Sequence, residues 1–369
     1  MSDKGGWRAK RLAMVLLGAA LALLVAACGQ DTSGESAEDE GGEDSGSGGT
    51  LTISNWDQYM PEDLIPGFEE ETGINVKYVK HATNEEVMGK LEAADGGGYD
   101  LVFVSGQFAQ ALNERGWAAP VDEEAVPNMS NLYPEAEELS YDPGNEYSVP
   151  YTWGTTGLCY RSDKVDAPTS WGDLLQPDPE LEGKTTMLAT DRWLLLPALK
   201  YLGYSANTTD QAELEEARDL LLETKDTLLA YDDTTFYSKL VSGEAYMVEA
   251  WDGWCNYGIA EDDRIEFVVP EEGSDLWADT MVVLESSENK EAAFEFINYV
   301  LEAENGTAVA ELLTYNTPNE AGMEGLDPKM VKQFPLLARD PQELLEGESL
   351  TDLGEGQQAW SQIVTEITG

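Results

Sequence analysis

The chain has 369 residues, with 72 Asp and Glu against 21 Lys and Arg, and its formal net charge at pH 7 is −51. Such an excess of acids argues against binding to nucleic acid or to an anionic membrane surface through a basic patch. It is typical of a protein surface exposed to high salt or high external pH, and the length is sufficient for two ordinary domains.

The first 28 residues have the pattern of an export signal. Four basic residues precede an apolar run at 12–26, which is too short for a comfortable membrane span. The run ends in Val-Ala-Ala-Cys, which resembles a bacterial lipobox whose cysteine, Cys28, receives lipid. The alternative is a plain signal peptide with a fortuitous cysteine.

Residues 29–49 form a predicted tether, because they contain seven acids, many Gly and Ser residues and no large apolar side chain. Such a segment is flexible and repels itself. We therefore expect a protein outside the cytoplasmic membrane, at the cell surface or in the periplasm, anchored by lipid at its N-terminus.

Strand and helix patterns alternate from residue 50 onward. Gly73 and Gly116 are natural ends for two of the helices. The alternation predicts a mostly parallel sheet that is covered by helices on both faces. The predicted strands are 51–54, 74–79 and 99–104, and the predicted helices are 61–73, 84–94 and 108–115.

A second lobe is predicted after a Pro- and Asn-rich stretch at 120–150. The extended segment 151–158 contains glycine pivots and would cross into that lobe. We expect residues 50–155 and 277–323 in lobe 1 and residues 156–276 and 324–369 in lobe 2, with a ligand in the cleft between them. The remaining predicted strands are 184–189, 228–231, 245–251, 265–269 and 280–284, with helices at 210–224, after Asp252, and at 289–302.

Few residues in the chain are suited to catalysis or metal binding. The single histidine, His81, follows a predicted strand, and we interpret it as an ordinary surface or loop residue. Cys159 and Cys255 could pair or remain as buried thiols. No phosphate loop, nucleophile elbow or metal-spaced cluster is present, so we expect no cofactor and no metal. Paired carboxylates leave a secreted glycosidase as a distant alternative.

Three tryptophans lie at or beside predicted strand ends, each with an aspartate one or two residues later: Trp56 with Asp57, Trp251 with Asp252, and Trp277 with Asp279. Tryptophan faces attract cations, and a desolvated carboxylate completes an ammonium site. The pattern favours a slender organic cation as ligand. The alternative for any tryptophan is core filling, which we expect for Trp117, Trp153, Trp171 and Trp360.

Five sequence motifs stand out along the chain: Asn-Trp-Asp-Gln-Tyr-Met-Pro at 55–61, Gly-Tyr-Asp-Leu-Val-Phe-Val-Ser at 98–105, Tyr-Ser-Val-Pro-Tyr-Thr-Trp-Gly at 147–154, Leu-Gly-Tyr-Ser-Ala-Asn-Thr-Thr-Asp at 202–210 and Tyr-Asn-Thr-Pro-Asn at 315–319. Together they resemble the spermidine/putrescine-binding proteins of ABC polyamine transporters, and the match runs in order from about residue 51 to 319. The resemblance implies an α/β fold of the type II periplasmic-binding-protein kind, with two lobes.

The resemblance also implies roles for individual residues. Aromatic residues would form the walls of a polyamine site, and Ser105 would make a polar contact with the ligand. Asp279, the acid of the Trp-x-Asp motif, would bind an amine group. The aromatic residues concerned are Trp56, Tyr59, Trp251, Trp277 and Tyr315.

Departures from the family pattern concern the charges. Gln107 stands two residues after Ser105, where an aromatic is expected. Thr190 and Trp193 occupy the positions of an acidic pair, and Asp191 lies one place away. A glutamine expected late in the chain is not found. Asp252 is a candidate for the missing charge, so Gln107, Asp191, Trp193 and Asp252 join the predicted ligand-binding residues.

The resemblance and the residues together predict a lipid-anchored monomer that captures polyamines and presents them to the membrane subunits of an ABC permease. No reaction would be catalysed. The runner-up is a binding protein for another small organic cation or amino compound.

Overall fold

The computed structural model describes residues 49–369. The predicted signal peptide, the predicted lipidation site Cys28 and nearly all of the predicted tether lie outside these residues. Between residues 49 and 369, no helix combines the length and the apolar character that crossing a bilayer requires.

Eleven strands in the described part of the chain form two sheets. They are β1 (Leu51–Trp56), β2 (Val76–His81), β3 (Leu101–Ser105), β4 (Val149–Gly154), β5 (Thr156–Arg161), β6 (Thr185–Met187), β7 (Ala230–Tyr231), β8 (Met247–Trp251), β9 (Ile265–Val268), β10 (Asp275–Val283) and β11 (Glu348–Ser349). The first sheet has the order β11-β10-β3-β1-β2, with β4 also paired to β10, and the second has the order β7-β6-β8-β5-β9.

Helices flank both sheets. They are α1 (Leu64–Thr72), α2 (Asn84–Ala93), α3 (Gly106–Glu114), α4 (Gly172–Leu175), α5 (Asp191–Leu202), α6 (Gln211–Lys225), α7 (Phe236–Ser242), α8 (Asp252–Glu261), α9 (Lys290–Val300), α10 (Ala303–Leu313), α11 (Glu320–Glu324), α12 (Pro328–Gln333), α13 (Pro341–Leu345) and α14 (Gln357–Thr368). Gly73 ends α1 in the left-handed region at φ 75°, and its N–H bonds to the carbonyl of Glu69, which confirms the predicted helix end.

Both sheets contain more antiparallel pairing than the alternating pattern predicts. β1 runs parallel to β2 and β3, but β10 is antiparallel to β3 and β4. In the second sheet β5 is antiparallel to β8 and β9, while β6 is parallel to β7 and β8. The antiparallel pairs all involve β5 and β10, and each of these strands enters its sheet from the other lobe. The fold class is otherwise as predicted, with two α/β lobes.

Each lobe has its own apolar core, and three of the four tryptophans expected there are confirmed. Trp153 is fully buried in the first lobe, and Trp171 and Trp360 are fully buried in the second. Trp117 is only half-buried: it packs at the edge of a core cluster of the first lobe, and the guanidinium of Arg115 lies over its ring at 5.3 Å.

The passage between the lobes is narrow. β4 lies in the first sheet and β5 in the second, and Thr155 alone separates them. The return passage, from β9 to β10, is bonded to the first one: Thr155 Oγ1 donates to the carbonyl of Asp275 at 2.7 Å, and the N–H of Thr156 donates to its Oδ1 at 2.9 Å. The two passages therefore form one hinge-like junction.

A disulfide joins Cys159 of β5 to Cys255 of α8, with the Cα atoms 5.9 Å apart. The sequence leaves this pairing open, because spacing along the chain does not set a distance in space. Both residues are fully buried. The bond fixes α8 on the second sheet directly behind the aromatic residues of the site.

Two segments differ from the sequence-based boundaries. β10 begins at Asp275 rather than near residue 280, because its first half pairs with β4. Its two acids, the buried Asp275 and the half-buried Asp279, break the apolar pattern that would have revealed the strand. The segment 324–369 contacts both lobes: β11 pairs with β10 in the first sheet, while α14 packs on α5 and α6 in the second lobe.

Candidate functional site

A cavity of about 720 Å³ lies between residues of the two lobes. Its first-lobe wall comes from the end of β1, the starts of α2 and α3 and from β10. Its second-lobe wall comes from the start of α5, the end of β8, the start of α8 and the segment 352–361. Nine of the predicted ligand-binding residues line it: Trp56, Tyr59, Ser105, Gln107, Trp193, Trp251, Trp277, Asp279 and Tyr315.

Asp279 is the carboxylate at the inner end of this cavity. Its Oδ2 accepts a hydrogen bond from Tyr59 Oη at 2.7 Å, and its Oδ1 accepts one from Ser105 Oγ at 2.7 Å. The register of β10 with β4 shifts between Asp279 and Thr280, a bulge that redirects the side chain. Burial raises the pKa of Asp279, and the two hydroxyl donors counteract the shift.

Neighbouring side chains hold both hydroxyl donors in position. Asn84, at the start of α2, accepts from the N–H of Ser105 at 3.0 Å, and its Nδ2 bonds to Ser105 Oγ at 3.1 Å. Tyr59 Oη lies 3.0 Å from Thr152 Oγ1 of β4. Desolvation, together with the charge of Asp279, raises the pKa of Tyr59 well above its usual value, so its hydroxyl remains a donor.

A turn after β1 brings Trp56 and Tyr59 together. Gln58 adopts φ 58°, a left-handed conformation that reverses the chain between the two aromatic residues. Their ring centroids lie 5.3 Å apart at 68°. The Asn-Trp-x-x-Tyr pattern therefore produces two walls that meet at an edge beside the carboxylate.

Close approach to two glycines positions the opposite pair of rings, Trp277 and Tyr315, which lie 4.9 Å apart at 81°. A Cβ on Gly154 would lie 2.4 Å from the Trp277 ring, and one on Gly253 would lie 2.1 Å from the Tyr315 ring. Thr314 is buried with φ 56°, which is unusual for a β-branched residue and marks a constrained backbone before Tyr315.

Trp193 and Trp251 form the second-lobe wall, with ring centroids 5.3 Å apart at 85°. Trp193 Nε1 donates to Asp275 Oδ2 at 2.8 Å. Asp275 is fully buried and does not line the cavity. The indole thus separates this carboxylate from the cavity.

The residues considered for a second acidic group in the site lie in different environments. Asp252 is buried behind Trp277 and is not among the cavity-lining residues. Its Oδ1 accepts from the N–H of Gly253 at 2.8 Å, and burial raises its pKa to about 7. Thr190 lines the cavity. Asp191 begins α5, but its side chain is outside the described part of the structure.

His81 is not the surface or loop residue that the sequence suggests, because it ends β2 and is 3% exposed. Its Nδ1 lies 2.9 Å from Ser54 Oγ, and its ring meets the edge of Trp56 at 4.9 Å. Burial lowers its pKa to about 4, so a neutral imidazole supports Trp56 from behind.

Sequence reasoning missed several lining residues, chief among them Trp254, Asn84 and Arg115. Trp254 lies three residues after Trp251 at a predicted helix start, and that spacing could have identified it. Asn84 and Arg115 act through distant partners, Ser105 and Glu92, which no local pattern reveals. Among residues 49–369, no group of three or more His, Cys, Asp and Glu is arranged to hold a metal ion.

Comparison with known proteins places the chain among binding proteins. The family of bacterial extracellular solute-binding proteins matches residues 63–338. The spermidine/putrescine-binding periplasmic protein of Salmonella typhimurium is 34% identical over 310 residues, covering 83% of this chain and 88% of that protein. The putrescine/cadaverine-binding protein of Pseudomonas aeruginosa is 28% identical and covers 86% of this chain and 93% of that protein.

The solved structures include one with the same architecture from Streptococcus pneumoniae, the spermidine/putrescine ABC transporter substrate-binding protein PotD. It superimposes with a TM-score of 0.73 at 29% identity, over 86% of this chain and 98% of that one. The resemblance expected from the five motifs is therefore confirmed. The chain belongs to the bacterial extracellular solute-binding proteins and is homologous to the spermidine/putrescine-binding periplasmic proteins.

Proposed function

We propose that this chain captures polyamines of the spermidine and putrescine class outside the cytoplasmic membrane and delivers them to an ABC permease, without catalysing a reaction. The relatives named for spermidine and putrescine support the ligand class, since they share the fold and most of the chain length. All relatives described above are solute-binding proteins, which supports binding without catalysis.

The observation that carries this proposal is the environment of Asp279. Its only hydrogen-bond partners between residues 49 and 369 are two neutral hydroxyls, and no ion pair involves it. A half-buried, partly desolvated carboxylate without a countercharge is costly, and a ligand ammonium would supply that charge. The surrounding indole and phenol rings would cover the methylenes of an aliphatic amine and attract its charge.

Ligand binding would also hold the lobes together. Tyr59 and Asp279 belong to the first lobe, while Trp193, Trp251 and Trp254 belong to the second. A ligand that contacts both walls favours an arrangement in which they are close. We propose that the permease recognises this liganded arrangement.

A thermal-shift screen of the purified protein tests the function. The panel contains putrescine, spermidine, amino acids and sugars at matched ionic strength. A specific ligand at 100 times its dissociation constant should stabilise the protein by about 2.7 kcal/mol. We expect this response from the amines. A response only to amino acids would support a site for another amino compound, and no response to any amine would refute the proposal.

We further propose that lipid on Cys28 anchors the protein as a monomer at the membrane surface. The supporting observation is the lipobox-like sequence followed by an acidic, glycine-rich segment. Cys28→Ala should abolish lipid labelling and move the protein out of the membrane fraction. Retention of the variant in membranes washed with high salt would show that lipid is not the tether.

A further inference from the structure

The charges around the cavity are distributed unevenly. Four acidic residues line it: Glu85, Glu92, Asp279 and Asp352. Glu92 is paired with the guanidinium of Arg115 at 2.8 Å, and Glu85 is exposed at the start of α2. Asp279 is therefore the one carboxylate among the aromatic rings of the inner cavity, in the part of the chain that the structure describes.

Among the described side chains, the wall opposite Asp279 presents no second carboxylate beside its tryptophans. Behind Trp193, the carboxylate of Asp275 is fully buried and already accepts hydrogen bonds from the indole N–H and from the N–H of Thr156. Asp252 lies outside the lining and accepts from backbone N–H groups. Among the described lining residues on this side, a second ammonium would meet indole faces together with Thr190, Arg192, Gln357 and Ser361, but no buried carboxylate.

Indole faces alone do not balance a buried charge. The attraction between a cation and an aromatic face is smaller than the cost of removing an ammonium from water without a counterion. A ligand with two charged ends therefore has one end at Asp279 and the other where water or an exposed acid can reach it.

Gln107 supplies a neutral polar group to the same cavity as Asp279. Its side chain is 7% exposed and lines the cavity, and its amide has no hydrogen-bond partner among residues 49–369. The amide atoms of Gln107 are not completely enclosed by protein, so they remain accessible from the cavity. Gln107 lies two residues after Ser105, which pairs directly with Asp279 across β3 and β10.

A primary ammonium has three N–H donors, so one carboxylate leaves donors to be satisfied. The carbonyl oxygen of Gln107 is an acceptor that adds no charge. An amide at this position therefore fits one terminal ammonium shared with Asp279, rather than two cationic groups.

Acids at the outer side of the cavity come from both lobes. Glu85 belongs to the first lobe, and Asp352 precedes α14, which packs in the second. Neither forms an ion pair within residues 49–369. We call this outer side, near Glu85 and Asp352, the mouth of the cavity. A charged ligand end at the mouth would be attracted only weakly, because solvent screens the two acids. An uncharged ligand end there would leave no buried carboxylate without a partner.

We propose that the cavity binds a single primary ammonium, at Asp279 and Gln107, and leaves the other end of an aliphatic amine at the mouth. The ligand class then includes diamines in which one amine carries an acyl group. This inference rests on the proposed function and narrows its ligand class.

Titration calorimetry of the purified protein with three matched compounds tests the inference: 1,4-diaminobutane, its mono-N-acetyl derivative and its di-N-acetyl derivative. We expect the mono-acetyl compound to bind within about tenfold of the diamine, a difference of about 1.4 kcal/mol, and the di-acetyl compound not to bind. Loss of more than about a hundredfold on mono-acetylation would overturn the inference while leaving polyamine binding intact. If neither amine binds, the proposed function itself fails.

Gln107→Met tests the amide while preserving the length of the side chain. We expect both the diamine and the mono-acetyl compound to weaken about tenfold, because each loses the same hydrogen bond to its ammonium. Gln333→Met, at an exposed position of α12, is the matched control and should change neither. Unchanged binding of both compounds to Gln107→Met would show that the amide does not contact the ammonium.

The double variant Glu85→Gln with Asp352→Asn tests the mouth. It should weaken the diamine by about threefold and leave the mono-acetyl compound unchanged, because only the diamine carries charge there. Glu304→Gln, on an exposed part of α10, is the control. Equal weakening of both compounds would refute the assignment of the second end to the mouth.

Discussion

Asp279 and Asp252 form an instructive pair, because the sequence presents both beside a tryptophan and the fold separates them. Asp279 lies within β10, opposite Ser105, and its carboxylate lines the cavity. Asp252 is the first residue of α8, and its carboxylate lies behind Trp277. The same combination of indole and acid therefore occurs once in the lining of the cavity and once at a structural junction.

The hydrogen-bond partners explain this difference. Asp279 accepts from side-chain hydroxyls, whose oxygens keep lone pairs for a ligand. Asp252 accepts from the N–H of Gly253 at 2.8 Å and of Thr155 at 3.4 Å, so it joins the helix start to the passage between lobes. An acid at a helix N-terminus is favoured by the helix dipole irrespective of any ligand.

Asp279→Asn should have the largest effect on binding. An amide cannot balance the charge of the ammonium, and polyamine affinity should fall by about 2–5 kcal/mol, as for the loss of one partner of a desolvated charge pair. Asp252→Asn is the matched control and should change affinity by less than about 1 kcal/mol, because its side chain does not reach the cavity.

Titration calorimetry of the two variants at one pH is the measurement. Equal losses in both variants would show that the two aspartates form one site and would remove the distinction between them. Wild-type affinity in Asp279→Asn would show that the amine binds elsewhere.

The sequence was sufficient to predict the aromatic walls. A tryptophan at the carboxyl end of a buried strand lies at the edge of the α/β sheet, which is the edge where ligands usually bind. Trp56 and Trp251 end β1 and β8 as that reasoning requires. The position of a residue at a strand end depends on the local sequence alone, so it can be predicted without knowing which strands pair.

The sequence could not distinguish between the acids, because their roles depend on strand pairing between distant segments. The partners of Asp279 are 220 and 174 residues away along the chain. No local pattern indicates the role of Asp275, which accepts the indole N–H of Trp193. The burial of His81 is not predictable for the same reason, since it arises from contacts with Ser54 and Trp56 on a neighbouring strand.

The raised pKa of Asp252 should make the free energy of unfolding depend on pH. Its pKa rises from 3.8 to about 7 in the folded protein, so between these values the folded state binds more protons than the unfolded state. Protonated Asp252 therefore contributes to the free energy of unfolding below about pH 4, and this contribution is lost as the pH rises to about 7. Its upper limit is about 4 kcal/mol.

Denaturant unfolding of wild type and Asp252→Asn from pH 4 to pH 8 isolates this effect from the other buried acids. We expect the variant to gain stability relative to wild type as the pH rises. A difference that stays constant across this range would show that the carboxylate titrates normally and is not desolvated.

Gly253→Ala should affect the cavity without changing any charge. Its added methyl would lie 2.1 Å from the Tyr315 ring, so the ring must move. We expect polyamine affinity to fall by about 1–3 kcal/mol, from lost contact area and ring placement. Gly258→Ala, further along the same helix, is the control, because its Cβ would meet the side chain of Ile265 at 3.3 Å and neither residue lines the cavity. Comparable affinities for the two variants would exclude Tyr315 as a wall of the site.

The smallest effect is expected at exposed acids, which account for most of the net charge of −51. Glu304→Gln, on the surface of α10, should change polyamine affinity by less than about 0.3 kcal/mol at moderate salt, because mobile ions screen exposed charges. The loss caused by Asp279→Asn should persist as salt rises, since a closed cleft excludes those ions. Titrations of both variants at low and high salt measure this contrast. If added salt removed the Asp279 effect as well, the carboxylate would be acting through solvent like any surface acid, and the distinction between site and surface charge would fail.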